Sequence, residues 1–516
     1  MSPSLGRAAV RSGSPTTITR TRHAVALMAA TASLAACGTT VAHVTGGRST
    51  SDGLAQATTQ GAVAGASADS PNASTRQGAT GALGAGGTQL SGPSAGAQAS
   101  GGAVPLSGAA GSQVPVSGPV EVGFLVTKCS NCDLLGAGYV APAHSEQDVL
   151  QALVNDVNQR GGLLGHKIVP VWGVEDTASS DFSTMMQSIC AAFTQDHHVI
   201  AVLGAGVGYE DILSQCLAKA GVVAFDATRS TGVPDDQDLS THPGYVVSSE
   251  PSANVYSLVA ITSTVSDGWV TPRTKLGVLN FTCPEGNRVW ANTVEPYLAS
   301  HGLTVAVHST ISCPAGASDL GSAAQAVQSA ELKMHASGVD TVVITDIPLV
   351  VFAEDAESQH WYPHYVASEG GAMYQAYLTA DQLKNIHSAG WEPTYDLDAQ
   401  HQSTLTPSQH ECLDALTRGG FNGAVASEYT AYFSLCGGLD LYERAIAGAK
   451  SLSSPLVLRA TDALSDTFVS PMLLGGRTLL AQGRHAAAVQ YRSIVYDTTC
   501  SCFTYQGPVR QLPATH

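Results

Sequence analysis

Residues 199–212 read VIAVLGAGVGYEDI. The opening apolar run, rich in β-branched residues, predicts a strand buried on both faces of a parallel sheet. A glycine-rich turn follows at 204–208, and helical spacing then places Ile212, Leu213 and Leu217 on one side. Strand, glycine turn and helix form half of a βαβ unit. The turn lies at the carboxyl end of the strand, where open α/β sheets take their ligands and a new helix offers unpaired N–H groups. The segment is therefore expected to form one jaw of a small-molecule clamp.

Gly204, Gly206 and the strand ending at Asp226 imitate a dinucleotide fingerprint with its ribose-reading acid. The third glycine of that motif belongs at 209, where the chain has Tyr209. The motif is incomplete, and no nucleotide or other cofactor is expected.

The chain has 516 residues, enough for two or three domains, and a formal charge of −17. Residues 1–117 carry six arginines against two aspartates, which leaves 18 of the 24 basic and 39 of the 41 acidic residues for the rest. So acidic a body argues against nucleic acid as a partner. Four arginines precede an apolar run of small residues at 24–36. That order is the order of a secretory signal, and the run is too short to span a bilayer. It ends in Leu34-Ala35-Ala36-Cys37-Gly38, which resembles a bacterial lipobox. The resemblance implies lipidation of Cys37, removal of residues 1–36 and firm anchoring by two or more acyl chains. Residues 37–117 are Gly, Ala, Ser, Thr and Gln with almost no large apolar residue, the composition of a disordered tether reaching about 50 Å.

From 118 onward the chain alternates strand and helix signals. Strands are expected at 119–127, 168–174, 199–203 and 222–225, with helices at about 144–159, 182–194 and 209–220. Gly161-Gly162 stops the first helix. Val246-Val247-Ser248-Ser249-Glu250-Pro251 reads as an exit to a second lobe. Further strands are expected at 276–281, 304–311, 341–345 and 365–368. A return crossing is expected at 424–429, helices between 435 and 467, and a last crossing at 489–505.

The pattern Asn158-x-x-Gly161-Gly162-Leu163-x-Gly165-x-Lys167-Ile168, then Asp176, a helix and VIAVLG, resembles the type I periplasmic binding proteins. The nearest branch is the leucine/isoleucine/valine-binding family of ABC-transporter solute receptors, over about residues 118–505. The resemblance implies an α/β fold of two flavodoxin-like lobes with parallel sheets, joined by a three-crossing hinge. Lobe one is expected at 118–249, completed by about 429–486. Lobe two is expected at 250–428, completed by about 487–510.

Ten cysteines remain beyond Cys37, and an even count in an exported chain favours disulfides. Sequence leaves the connectivity open. Neighbours in order pair sensibly as Cys190 with Cys216, Cys283 with Cys313 and Cys412 with Cys436, leaving Cys129 and Cys132, and Cys500 and Cys502. Some family members bridge positions similar to the first pair. No metal site is expected, since the lone CxxC at Cys129 has no second half.

In a two-lobe receptor the ligand meets strand-end loops of both lobes. Lobe one would offer Gly208, Tyr209 and Glu210, then Thr228, Arg229 and Ser230. Lobe two would offer Glu285, Asp346 and Glu369. In amino-acid-binding members an acid matching Glu369 reads the ligand ammonium. The first glycine turn lacks the hydroxyls those members place there, and Arg229 would hold an anion instead. The function expected is that of a lipid-anchored, monomeric, extracellular solute-binding protein that passes a small polar ligand to an ABC permease without chemistry. The alternatives are a ligand-sensing surface receptor without transport and an exported α/β enzyme. No G-x-S-x-G nucleophile turn occurs within residues 118–516 to support the enzyme.

Overall fold

The computed structural model describes residues 118–514, apart from 129, 131–142, 205–210, 227–232, 345–347, 369, 399 and 403. Cys37, the signal segment, the tether, Cys129 and Cys132 lie outside the described residues.

Two sheets organise the chain. The first contains β1 (Val120–Lys128), β2 (Ile168–Asp176), β3 (Ala201–Gly204), β4 (Val223–Asp226) and β5 (Tyr245–Val247), in the order β2-β1-β3-β4-β5. All its pairings are parallel. This is the flavodoxin-like order, with its switch point between β1 and β3. Burial on both faces explains the unbroken apolar runs: all four residues of β3 are buried. The helices Glu146–Gln159 and Tyr429–Ala449 share one core with the first face of this sheet. Phe182–Ala191 and Asp211–Ala220 cover the other. Local chemistry sets the helix starts. Ser145 accepts the Asp148 N–H at 3.1 Å, and Asp181 accepts the Thr184 N–H at 2.9 Å. Gly204, at φ 118°, ends β3 where a Cβ would stand 2.1 Å from the Leu125 carbonyl oxygen, so no other residue fits.

The second sheet repeats the plan. It holds β6 (Leu276–Phe281), β7 (Val305–Ile311), β8 (Thr341–Val343), β9 (His364–Ser368), β10 (Ile386–Gly390), β11 (Gln490–Asp497) and β12 (Cys502–Gln511). The order is β12-β11-β10-β9-β8-β6-β7, so its first five strands follow the same switch as the first sheet. The expectation of parallel sheets needs one correction here. β11 runs antiparallel to β10, and β12 antiparallel to β11, because residues 489–505 form the first strand and turn of a hairpin on the sheet edge.

The chain crosses between lobes three times. The first crossing follows β5. The return crossing follows β10 directly, at about residues 391–406, and residues 424–429 instead lead through a short 3-10 turn into Tyr429–Ala449. The helix Pro407–Arg418, which fell within the expected lobe two, packs with lobe one. Gly419 at its end abuts the Ala152 backbone, Arg418 Nε reaches Asp156 at 2.7 Å, and Cys412 bonds to Cys436. A strand made of Ile386, His387, Ser388, Ala389 and Gly390 hides this crossing from sequence reading, because its polar residues are as buried as its apolar ones.

Cys190 is joined to Cys216, Cys283 to Cys313, Cys412 to Cys436 and Cys500 to Cys502. The first links the two helices flanking β3.

Candidate functional site

The three crossings form a hydrogen-bonded floor between the lobes. Val247 N–H donates to His485 O at 2.8 Å, and Ala487 N–H to Val247 O at 2.9 Å, so the first and third crossings are paired. The second is tied to the others by Trp391, which is fully buried. Its indole N–H donates to Glu250 Oε2 at 3.0 Å, and its carbonyl accepts Leu474 N–H at 2.7 Å.

The floor is acidic. Glu250 is 1% exposed, and Glu392 and Asp396 are fully buried. Carboxylates so placed persist only with donors around them. Asp396 shows how this is done. Its Oδ2 accepts from Glu392 N–H at 3.0 Å and from Tyr505 O–H at 2.6 Å, and its Oδ1 accepts from Gly370 N–H at 3.2 Å. Burial, with the Asp396 charge beside it, pushes the Tyr505 phenol far above its ordinary range, so it stays a donor. These bonds clamp the loop after β9. Gly370 sits at φ 77°, and a Cβ there would stand 2.7 Å from the Tyr395 ring.

Charged side chains gather at the carboxyl ends of β1 and β2 in lobe one. Lys128 Nζ meets Asp176 Oδ2 at 2.9 Å, and Ala178 N–H donates to Asp176 Oδ1 at 2.9 Å. The Lys128 bond first, then the Ala178 N–H, holds the Asp176 carboxyl below its usual range. Glu146, in the first turn of its helix, accepts Thr127 N–H at 2.7 Å at the carboxyl end of β1. Burial pushes its carboxyl up to about 7, against the lowering effect of that bond.

Direct contacts also bridge the lobes beyond the floor. Phe182 N–H donates to Ala315 O at 3.0 Å, and Ala317 N–H donates to Ser179 O at 2.8 Å. The loop after β2 thus pairs with the loop after β7. On the other side Arg288 of lobe two forks onto lobe one, with Nε 2.5 Å from Asp235 Oδ2 and Nη2 2.7 Å from Asp238 Oδ2. The Cys283–Cys313 bond lies between these contacts, joining the cap of the Arg288 helix to the 312–317 loop.

Of the expected ligand contacts, Glu285 alone is among the described residues. It is half-buried in the first turn of Pro284–Val289, at the carboxyl end of β6. Gly208, Tyr209, Glu210, Thr228, Arg229, Ser230, Asp346 and Glu369 lie outside the described residues. The described strands β3, β4 and β9 end immediately before these segments. The sequence reading gave no site role to Trp391, Glu392, Asp396 or Tyr505. One signal was available: Trp391-Glu392-Pro393 repeats the acid-proline exit of Glu250-Pro251.

Comparison with solved structures places the fold. A possible leucine/isoleucine/valine-binding protein from Rhodopirellula baltica SH 1 superposes with a TM-score of 0.55 at 14% identity, over 76% of this chain and 96% of that one. An ABC transporter substrate-binding protein from Aeropyrum pernix gives 0.58 at 14% identity, over 77% and 97%. A solute-binding protein of an ABC transporter from R. palustris, in complex with 4-hydroxybenzoate, gives 0.54 at 13% identity, over 77% and 98%. No protein-family model and no curated protein matches the sequence. At these identities the likeness is one of fold: the chain has the two-lobe fold of type I periplasmic binding proteins. Among the described residues no helix is long and apolar enough to cross a membrane.

Proposed function

We propose that this protein is an extracytoplasmic solute-binding protein that closes two lobes on a small polar ligand, an amino acid or related metabolite, and delivers it to an ABC-type permease. The observation that carries the reading is the hinge. Three paired crossings support two lobes whose loops touch at Ser179–Ala317 and Phe182–Ala315. A ligand that contacts both lobes favours the closed arrangement by its differential contacts, with no bond made or broken.

The ligand contacts proposed are Gly208, Tyr209, Glu210, Thr228, Arg229 and Ser230 from lobe one, and Glu285, Asp346 and Glu369 from lobe two. Their support is position: they follow the carboxyl ends of β3, β4, β6, β8 and β9, the edge that open α/β sheets use for ligands. Lipidation at Cys37 and a tether over 37–117 would keep the binding lobes outside the cell near a permease. The acidic floor and Glu369 favour a ligand bearing a cationic group, with Arg229 taking an anionic one.

Native mass spectrometry of the purified chain, followed by calorimetry against the co-purified compound and a metabolite panel, tests the reading. One ligand per chain, bound and recovered unaltered, is the expected result. Turnover of any panel member would overturn it in favour of an enzyme.

A further inference from the structure

A second cluster of chemistry-bearing side chains lies where the second crossing meets the tip of the β11–β12 hairpin. Gln375, Asp398, Gln400, His401, Cys500 and Ser501 line a cavity of about 330 Å³ there. His401, Cys500 and Cys502 each present one ligand-type atom within 4.8 Å of the others. The imidazole is oriented: His401 Nδ1 lies 2.8 Å from Asp398 Oδ1 and 2.9 Å from Oδ2. A carboxylate on one ring nitrogen fixes the tautomer and leaves Nε2 as the donor, the arrangement that metal-binding histidines use.

The two sulfurs are joined, and a disulfide binds no metal in this way. The bridge encloses a single residue, Ser501, held at φ 55°. Cys500 is exposed, so an attacking thiolate has access to its sulfur.

We propose that opening of the Cys500–Cys502 bond creates a site for a thiophilic d10 ion, zinc or monovalent copper, held by Cys500 Sγ, Cys502 Sγ and His401 Nε2. The reductant is an external dithiol. It transfers two electrons and two protons to the bond, leaves as its own disulfide, and yields two cysteine thiols. The metal then displaces both thiol protons. Thiolate and imidazole donors select such ions over calcium or magnesium. Ligand atoms around a tetrahedral zinc stand roughly 3.3–3.8 Å apart, so once the bond opens the two sulfurs must separate by roughly 1.7 Å and the imidazole must approach by about 1 Å. The exposed His401 and Cys500 can supply both movements. The fourth position falls to solvent from the cavity. In the oxidised chain the same residues are a structural staple, so the site is gated by redox state.

The test uses the full chain, reduced with excess dithiol under argon, desalted, and titrated with Zn²⁺ against a chromophoric chelator. The reduced protein is expected to bind one equivalent more than a Cys500→Ser/Cys502→Ser variant treated identically, and the oxidised protein none of that excess. Co²⁺ in place of zinc is expected to give a thiolate charge-transfer band that the double variant lacks. His401→Ala is expected to weaken zinc binding at least tenfold at an unchanged thiol count. Because reduction opens other disulfides too, Cys500→His serves as a second variant. It frees Cys502 without any reductant and keeps three donors, so it is expected to bind zinc with the remaining disulfides intact. Equal zinc uptake by reduced wild type and the double variant, or binding indifferent to His401, would overturn the proposal. So would a folded Cys500→His protein that takes up no zinc.

Discussion

Gly316 of lobe two approaches Ser180 of lobe one so closely that a Cβ on the glycine would stand 2.2 Å from the Ser180 carbonyl oxygen. The Gly316 backbone is extended, at φ −174° and ψ 176°, a conformation open to any residue. The requirement for glycine here is therefore contact between lobes and not backbone strain.

Gly316→Ala is accordingly expected to act on closure and not on folding. The added methyl group must push the two loops apart, breaking the pairings of Phe182 with Ala315 and of Ala317 with Ser179. Ligand affinity should fall about tenfold, as loss of two modest hydrogen bonds implies. Small-angle scattering should show a more open liganded state, while the ligand-free melting temperature stays within a degree or two. Undiminished affinity would show that these loops part company in the ligand-bound form.

The hinge floor should be sensitive to Trp391. Replacing it with Phe keeps most of the buried ring but removes the donor to Glu250 Oε2, a carboxylate that is 1% exposed. A hydrogen bond to a buried charge contributes about 1.5–3 kcal/mol. Urea unfolding of Trp391→Phe should show a loss of that size at an unchanged m-value. Glu250→Gln, which retains an acceptor for the indole, should lose less.

Glu146 predicts a pH dependence with a definite sign. Its carboxyl is raised to about 7 in the folded chain from an ordinary value of 4.5. Between those values the folded state holds a proton that the unfolded state has released, so stability falls as pH rises through this window. The stabilisation is complete below about pH 4.5 and gone above about pH 7. Glu146→Gln should remove this slope. Its stability at pH 8 should exceed that of the parent by about 1–2 kcal/mol, after allowance for partial solvent screening. Thermal melts from pH 5 to pH 8 for both chains check it; parallel curves would remove Glu146 as the source.

Glu369 is the proposed reader of a cationic group. Glu369→Gln should weaken such a ligand by about 2 kcal/mol, near thirtyfold, because its charge would lose its counterpart in the closed cleft. Calorimetry with the co-purified ligand measures this directly. A change under twofold would exclude the residue from the site.

Much of the architecture was legible in the chain alone. Unbroken apolar runs such as VGFLV and VIAVL announce strands buried on both faces, and Gly204 marks where the third must turn. Helical spacing also placed helices at about 144–159 and 182–194, which form as Glu146–Gln159 and Phe182–Ala191. Cysteine order suggested the four described bridges, because each pair joins cysteines that are neighbours in sequence order. These features depend on residues close in sequence, so a linear reading reaches them.

The hinge floor did not yield to such reading. Glu250, Trp391 and His485 are far apart in sequence and meet because three crossings pair their backbones. His387 and Ser388 form a strand without apolar alternation, since the hydrogen bond from the His387 ring to Asp267 and the pairing with both neighbouring strands replace the usual side-chain pattern. Asp396 resembles any loop acid until Gly370 and Tyr505 are brought to its two oxygens. Sequence by itself determined that there are two α/β lobes and where most of their strands lie. Only the tertiary structure decided which carboxylates line the hinge and where the lobes touch, because burial and charge partnership are properties of distant segments packed together.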